Sequence, residues 1–185
     1  RFPIDLELIK DHPNGCNINA DCGSTHIETL SRMVVAGGYD LGIAFDGDAD
    51  RCLAVDENGQ LVDGDKIMAI CGKDMAAERK LSKNAIVATV MSNLGFHEFC
   101  GWSGIELCCA NVGDRNVLEM MQARGYNLGG EQSGHTIFLD YATTGDGQLT
   151  AVRLLRTVSR SGKKLSELAG EIPTYPQVLK NVAIA

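Results

Sequence analysis

Leu41-Gly42-Ile43-Ala44-Phe45-Asp46-Gly47-Asp48-Ala49-Asp50-Arg51-Cys52-Leu53-Ala54-Val55 is the stretch on which the fold turns. Two short apolar runs flank an acidic loop, and such runs bounded by turn residues read as buried strands. The carboxylates of Asp46, Asp48 and Asp50 stand at alternate positions and Arg51 closes the run. Three acids on one tight turn repel each other, a cost that a cation among them removes. An all-oxygen donor set suits a hard ion such as magnesium, calcium or manganese. Two other readings compete. One is a solvated acidic turn. The other is an EF-hand, because Glu57 falls at the twelfth position counted from Asp46. Its sixth position, which needs glycine, is Arg51, and its flanks read as strands rather than helices.

Outward from this loop the chain is punctuated clearly. Asn58-Gly59 predicts a hairpin turn leading into Leu61-Val62. Asp63-Gly64-Asp65 marks a boundary, with Asp65 predicted to cap a helix from Lys66 to Arg79. Upstream, Ile4, Leu6 and Leu8 alternate within a predicted strand from Phe2 to Ile9, and residues 11–24 form a polar loop. Thr25 and Glu28 make a capping box for a helix from His26 to Val35, which Gly37-Gly38 stops. Downstream, strands are predicted at 85–90, 105–110, 126–129 and 135–139, and helices at 93–102, 114–124, 147–160 and 166–169. Asp146 caps the long helix, whose stripe reads as Leu149, Val152, Leu155 and Val158. Pro173 and Pro176 mark a linker before a last strand from Val178 to Ile184. Strands alternating with helices give an α/β architecture.

Composition sets bounds on function. The 185 residues are 44% hydrophobic and 22% charged, enough apolar material for a sizeable core. A net charge of −7 with no basic run argues against a nucleic-acid partner. No apolar run approaches a membrane span and none reads as a leader. Seven cysteines, an odd number without a C-x-x-C pair, fit reduced and mostly buried thiols in a cytoplasmic protein.

A second constellation is Gly129-Gly130-Glu131-Gln132-Ser133-Gly134-His135, between two predicted strands. Its glycines let backbone turn tightly against a ligand. Glu131, Ser133 and His135 offer an acceptor, a hydroxyl and an imidazole at alternate positions, a set suited to vicinal sugar hydroxyls. The bland alternative is a turn whose glutamate holds local amides. Ser92 and Asn93 end a strand, where open α/β sheets place ligands. The loops 111–115 and 143–147 read first as helix caps, with Asp114 and Asp146 as capping residues.

Asp-Gly-Asp-Ala-Asp-Arg at 46–51 followed by Gly-Glu-Gln-Ser-Gly-His at 130–135 resembles the α-D-phosphohexomutase superfamily. The likeness extends through residues 89–95, 112–115, 126–135 and 138–147, and Gln132 is closer to the branch acting on amino-sugar phosphates than to those acting on glucose or mannose phosphates. The resemblance implies α/β domains with mixed sheets flanked by helices. It divides the chain into the end of domain two with the metal loop (1–62), domain three with the sugar-binding loop (63–172), and a linker with the first strand toward domain four (173–185). It implies Mg2+ on Asp46, Asp48 and Asp50, Arg51 at the moving phosphoryl group, and Glu131, Ser133, Gly113 and Asp114 at the substrate. His135 would orient its loop or assist proton movement. The implied reaction interconverts hexosamine 6- and 1-phosphates through a phosphoserine of domain one. Neither that serine loop nor the domain-four Ser-Gly-Thr-Glu-Pro loop occurs here, so this polypeptide alone is expected to show no turnover. The implied partners are the hexosamine phosphate, domains one and four, and in some settings a second copy of the chain. The alternatives are a glucose- or mannose-phosphate mutase, or a module that only binds metal and sugar phosphate.

Overall fold

The computed structural model of the chain describes residues 4–178 and 180. The acidic loop closes a hairpin between β1 (Leu41–Phe45) and β2 (Cys52–Asp56), paired antiparallel with Phe45 opposite Cys52. β3 (Leu61–Val62) adds to the other side of β2 through the predicted turn, where Gly59 takes φ +80°. Helix α1 (Ile27–Gly37) covers this sheet and ends at Gly38, which takes the left-handed conformation at φ +66°. The flanking strands exclude the EF-hand. Glu57, its would-be twelfth ligand, instead accepts from the Ser166 hydroxyl at 2.5 Å.

A second sheet has the order β5-β4-β6-β7, from β4 (Ala85–Thr89), β5 (Glu106–Ala110), β6 (Leu128–Gly130) and β7 (Thr136–Phe138). β4 runs parallel to β5 and β6, and β7 returns antiparallel to β6. Every residue of β4 is buried, because both faces of the sheet are covered. Ile86 and Ala88 join Leu128 and Phe138 in one core with α2 (Gly64–Ala77), α3 (Leu94–Trp102), α5 (Gly147–Ser161) and α6 (Leu165–Gly170). Ala85, Val87 and Ile137 face the opposite way, onto Val117 and Met121 of α4 (Asp114–Arg124). Period-two alternation thus feeds two cores, each buried large side chain contributing roughly 1.5–3 kcal/mol. The parallel strands β5, β4 and β6 end in the loops at 111–113, 90–93 and 131–135 respectively.

Several expectations need correction. Of the predicted strand from Phe2 to Ile9, residues 2 and 3 lie outside the described residues and residues 4–9 lie outside any strand, with Leu6 and Leu8 exposed, since no strand among the described residues pairs with their backbone. The Thr25–Glu28 box does not form: His26 occupies the N-cap and its side chain makes no capping bond. Asp63, not Asp65, caps α2, accepting from the Lys66 amide at 3.0 Å. Gly113 rather than Asp114 is the N-cap of α4. The long helix turns Gly147, Thr150, Ala151, Leu154 and Thr157 fully inward; of the predicted stripe, Leu149 and Val158 pack partly buried against the core and Val152 is 47% exposed. Of the predicted last strand, only Val178 and Lys180 fall among the described residues, and neither lies in a strand. Asp146 does cap α5, accepting from the Leu149 amide at 2.9 Å. All seven cysteines are free; Cys52, Cys71, Cys100 and Cys108 are buried, and Cys16 is exposed.

Candidate metal centre and adjoining glycine-rich turn

The β1–β2 connection brings the three aspartates together, Asp46 and Asp50 partly buried and Asp48 exposed. Asp46, Asp48 and Asp50 each offer a carboxylate oxygen within 4.8 Å of the others. Ala49 makes the necessary reversal at φ +61°, a left-handed conformation that costs a non-glycine residue roughly 1 kcal/mol or more. The Arg51 amide donates to Asp46 Oδ1 at 3.1 Å, and its guanidinium Nε lies 3.7 Å from Asp46 Oδ2 and 4.0 Å from Asp50 Oδ1. Burial pushes the Asp50 carboxyl up, and the hydrogen bond and negative charge of Asp46 push it further. Asp46 moves the other way: burial opposes its ionisation, but bonds from the Arg51 amide and from Asp50 outweigh that and hold it below the ordinary carboxylate range. Asp50 Oδ1 is buried without a hydrogen-bond partner. Convergent, half-exposed oxygens with one buried oxygen unsatisfied are a donor set that a small divalent cation fits.

The loop is held by backbone from the second sheet's turn and from α5. The Cys52 amide donates to Gly134 O at 3.0 Å, Arg51 and His135 form an antiparallel bridge, and the Gly147 amide donates to Ala49 O at 2.9 Å. His135 is only 3% exposed, with Nε2 3.5 Å from Asp50 Oδ2 and 3.3 Å from the Gly145 amide. Gly145 and Gly147 permit this approach. A Cβ on Gly145 would lie 2.4 Å from His135 Nε2, and one on Gly147 2.6 Å from Arg51 O. Reading 143–147 as helix capping alone missed this contact; the glycines on either side of Asp146 were its signal.

Within the turn, Glu131 is half-buried and its Oε1 accepts from the Gly113 amide at 3.0 Å, while Ser133 is exposed. Glu131 and Gly113 are therefore joined across the ends of β6 and β5. Asp114 is exposed and its carboxylate accepts from the adjacent Arg115 amide at 2.7 Å. Ser92 and Asn93, at the end of β4, meet Asp65. Its Oδ1 accepts from the Ser92 hydroxyl at 2.8 Å and its Oδ2 from the Asn93 amide at 2.7 Å. Burial pushes this carboxyl up to about 6, against the pull of those two donors.

A family model described as phosphoglucomutase/phosphomannomutase, alpha/beta/alpha domain III, matches residues 63–175. The chain belongs to the phosphoglucomutase/phosphomannomutase family. The phosphoglucosamine mutase of Streptococcus agalactiae is 56% identical over 180 residues, a match covering 97% of this chain and 40% of that protein. A phosphoglucomutase/phosphomannomutase family protein from Burkholderia thailandensis superposes with a TM-score of 0.71 at 27% identity, over 82% of this chain and 33% of that one. The N-acetylphosphoglucosamine mutase of Aspergillus fumigatus, solved with GlcNAc-6P and magnesium, superposes with a TM-score of 0.66 at 20% identity, over 88% of this chain and 39% of that one. The chain thus spans about 40% of the length of the curated relatives it matches.

Proposed function

We propose that this chain supplies the metal loop and the sugar-reading turn of a phosphoglucosamine mutase, which interconverts glucosamine 6-phosphate and glucosamine 1-phosphate through a phosphoserine carried elsewhere in the enzyme. The observation that carries this reading is the packing of three convergent carboxylates against the Glu131–His135 turn. The amino-sugar substrate rests on relatives of that name at 53% identity and above. In this reading Asp46, Asp48 and Asp50 hold magnesium, which when bound supplies charge neutralisation and Lewis acidity at phosphoryl oxygens. Arg51, already beside the acidic cluster and 45% exposed at its side chain, directs its guanidinium donors at the moving phosphoryl group. Exposed Ser133 and half-buried Glu131 hydrogen-bond the sugar hydroxyls, beside Gly113 and Asp114 at the end of β5. His135, buried against Asp50, takes the orienting role and fixes the turn to the metal loop.

Domain limits at 62/63 and 172/173 belong to the same proposal, as do docking onto domains one and four and a cytoplasmic location. No helix among the described residues is long and apolar enough to cross a membrane. The test uses the full-length enzyme with its serine phosphorylated. Glucosamine 6-phosphate is expected to turn over with magnesium, to stop on chelation, and to be preferred over glucose 6-phosphate by roughly ten-fold or more in kcat/KM. A folded, phosphorylated enzyme inert toward glucosamine 6-phosphate overturns the reading.

A further inference from the structure

We infer that Gln132 is a positioning residue that acts through Asp63, clasping the sugar-reading turn to the start of α2. The inference rests on the reading of that turn just given, and it assigns Gln132 a partner within the protein rather than on the substrate. The clasp has two points. The Gln132 side-chain amide donates to Asp63 Oδ2 at 3.3 Å, and the Gly64 amide donates to Gln132 O at 3.0 Å. The fit behind them is close: a Cβ on Gly64 would lie 2.1 Å from Glu131 O and 2.9 Å from Gln132 O. Asp63 is itself fixed, since its other oxygen caps α2 through the Lys66 amide at 3.0 Å. Asp63 also stands where the chain passes from β3, in the hairpin sheet, into the helix covering the second sheet. The position of Glu131 and Ser133 is thereby referred to the junction between the two sheets.

The chemistry permits a reversal test. In Gln132→Glu two carboxylates replace an amide–carboxylate bond and repel at this distance. Asp63→Asn keeps a good N-cap, and its new amide can donate to whatever acceptor stands at position 132. Combined, the two changes rebuild the bond with donor and acceptor exchanged. In full-length enzyme, Gln132→Glu is expected to lower kcat/KM for glucosamine 6-phosphate by roughly ten-fold or more, mainly through KM. The double variant Gln132→Glu/Asp63→Asn is expected to return to within about three-fold of the parent. Gln132→Met, which keeps length and removes the donor without adding charge, is expected to show the same KM-weighted loss, and adding Asp63→Asn to it gives no recovery. Hydrogen exchange of the 131–135 amides supplies a readout independent of turnover: faster in Gln132→Glu, restored in the double. Parental kinetics and exchange in Gln132→Glu, or no recovery of either in the double, overturn the inference. A parent enzyme without glucosamine-phosphate turnover overturns the proposed function instead, and the exchange data then decide the clasp by themselves.

Discussion

The Asp46–Arg51 loop and the Gly129–His135 turn lie against each other, yet they are stabilised in opposite ways. The loop concentrates like charges whose oxygens lie within 4.8 Å, includes a left-handed alanine, and leaves a buried oxygen of Asp50 unpaired. Its three carboxylates work against folding, offset within the loop by Arg51 and from outside by backbone bonds of the turn and of α5. The turn is secured mainly through backbone: Gly134 O accepts from Cys52, Gln132 O accepts from Gly64, and the Glu131 amide donates to His135 O at 2.8 Å. Binding chemistry and stability are therefore separable in the loop and joined in the turn. Strain and mutual repulsion concentrate where a ligand can relieve them.

The sharpest way to break this comparison is Asp48→Asn, which changes the exposed member of the acidic cluster. In the full-length enzyme kcat is expected to fall by about 10³-fold, since a metal supplies several kcal/mol of charge stabilisation. The melting temperature is expected to stay level or rise as repulsion is relieved. Calorimetry alongside magnesium titration and steady-state kinetics checks both halves; a variant that loses stability together with activity would place Asp48 in the fold rather than the site.

Gly134→Ala tests the other side. Gly134 takes φ +101°, and its Cβ would lie 2.7 Å from Cys52 O. Strain and clash together should cost roughly 2–3 kcal/mol, lowering the melting temperature by about 5–10 °C and moving activity with it. A stable but inactive Gly134→Ala variant would make the turn resemble the loop and erase the contrast.

Asp65 sharpens the comparison, being a carboxylate held by hydrogen bonds rather than by charge. Its carboxyl rises from 3.8 to about 6 on folding, so the folded state holds the proton more tightly than the unfolded state. Its contribution is favourable at low pH and is lost as pH rises from about 4 through about 6. Asp65→Asn keeps an acceptor for the Asn93 amide, and the Ser92 hydroxyl can accept from the new amide. The variant is expected to be more stable than the parent above pH 6, by up to roughly 2 kcal/mol, and to lose the decline between pH 4 and 6. Denaturant unfolding across that range reads it; an Asn variant less stable at pH 7 would show that the charge itself is needed.

Much of this molecule is set locally and was legible from local pattern. The apolar run at 85–88, the Asn58-Gly59 turn, the Asp146 cap and the glycine stops after α1 and α5 each depend on neighbours a few residues away. The acidic triad was legible for the same reason, since one tight loop brings its three members together whatever the rest of the chain does. What sequence could not supply were partners and rotations fixed across the chain. The stripe of α5 is legible only in part: Leu149 and Val158 do pack on the core, but Gly147 meets the backbone of Ala49 and Arg51, and Thr150, Ala151 and Leu154 turn fully inward. Asp65 looked like a cap, but Asp63 takes that role and Asp65 turns to Ser92 and Asn93 at the end of β4. The sequence alone determined which residues carry charge, hydroxyl and imidazole. Only the tertiary structure decided that His135 rests on Asp50, Glu131 on Gly113 and Gln132 on Asp63, because each contact joins segments far apart in the chain, the first by the packing of the two sheets, the second across the ends of β6 and β5, and the third at the start of α2, rather than by any local preference.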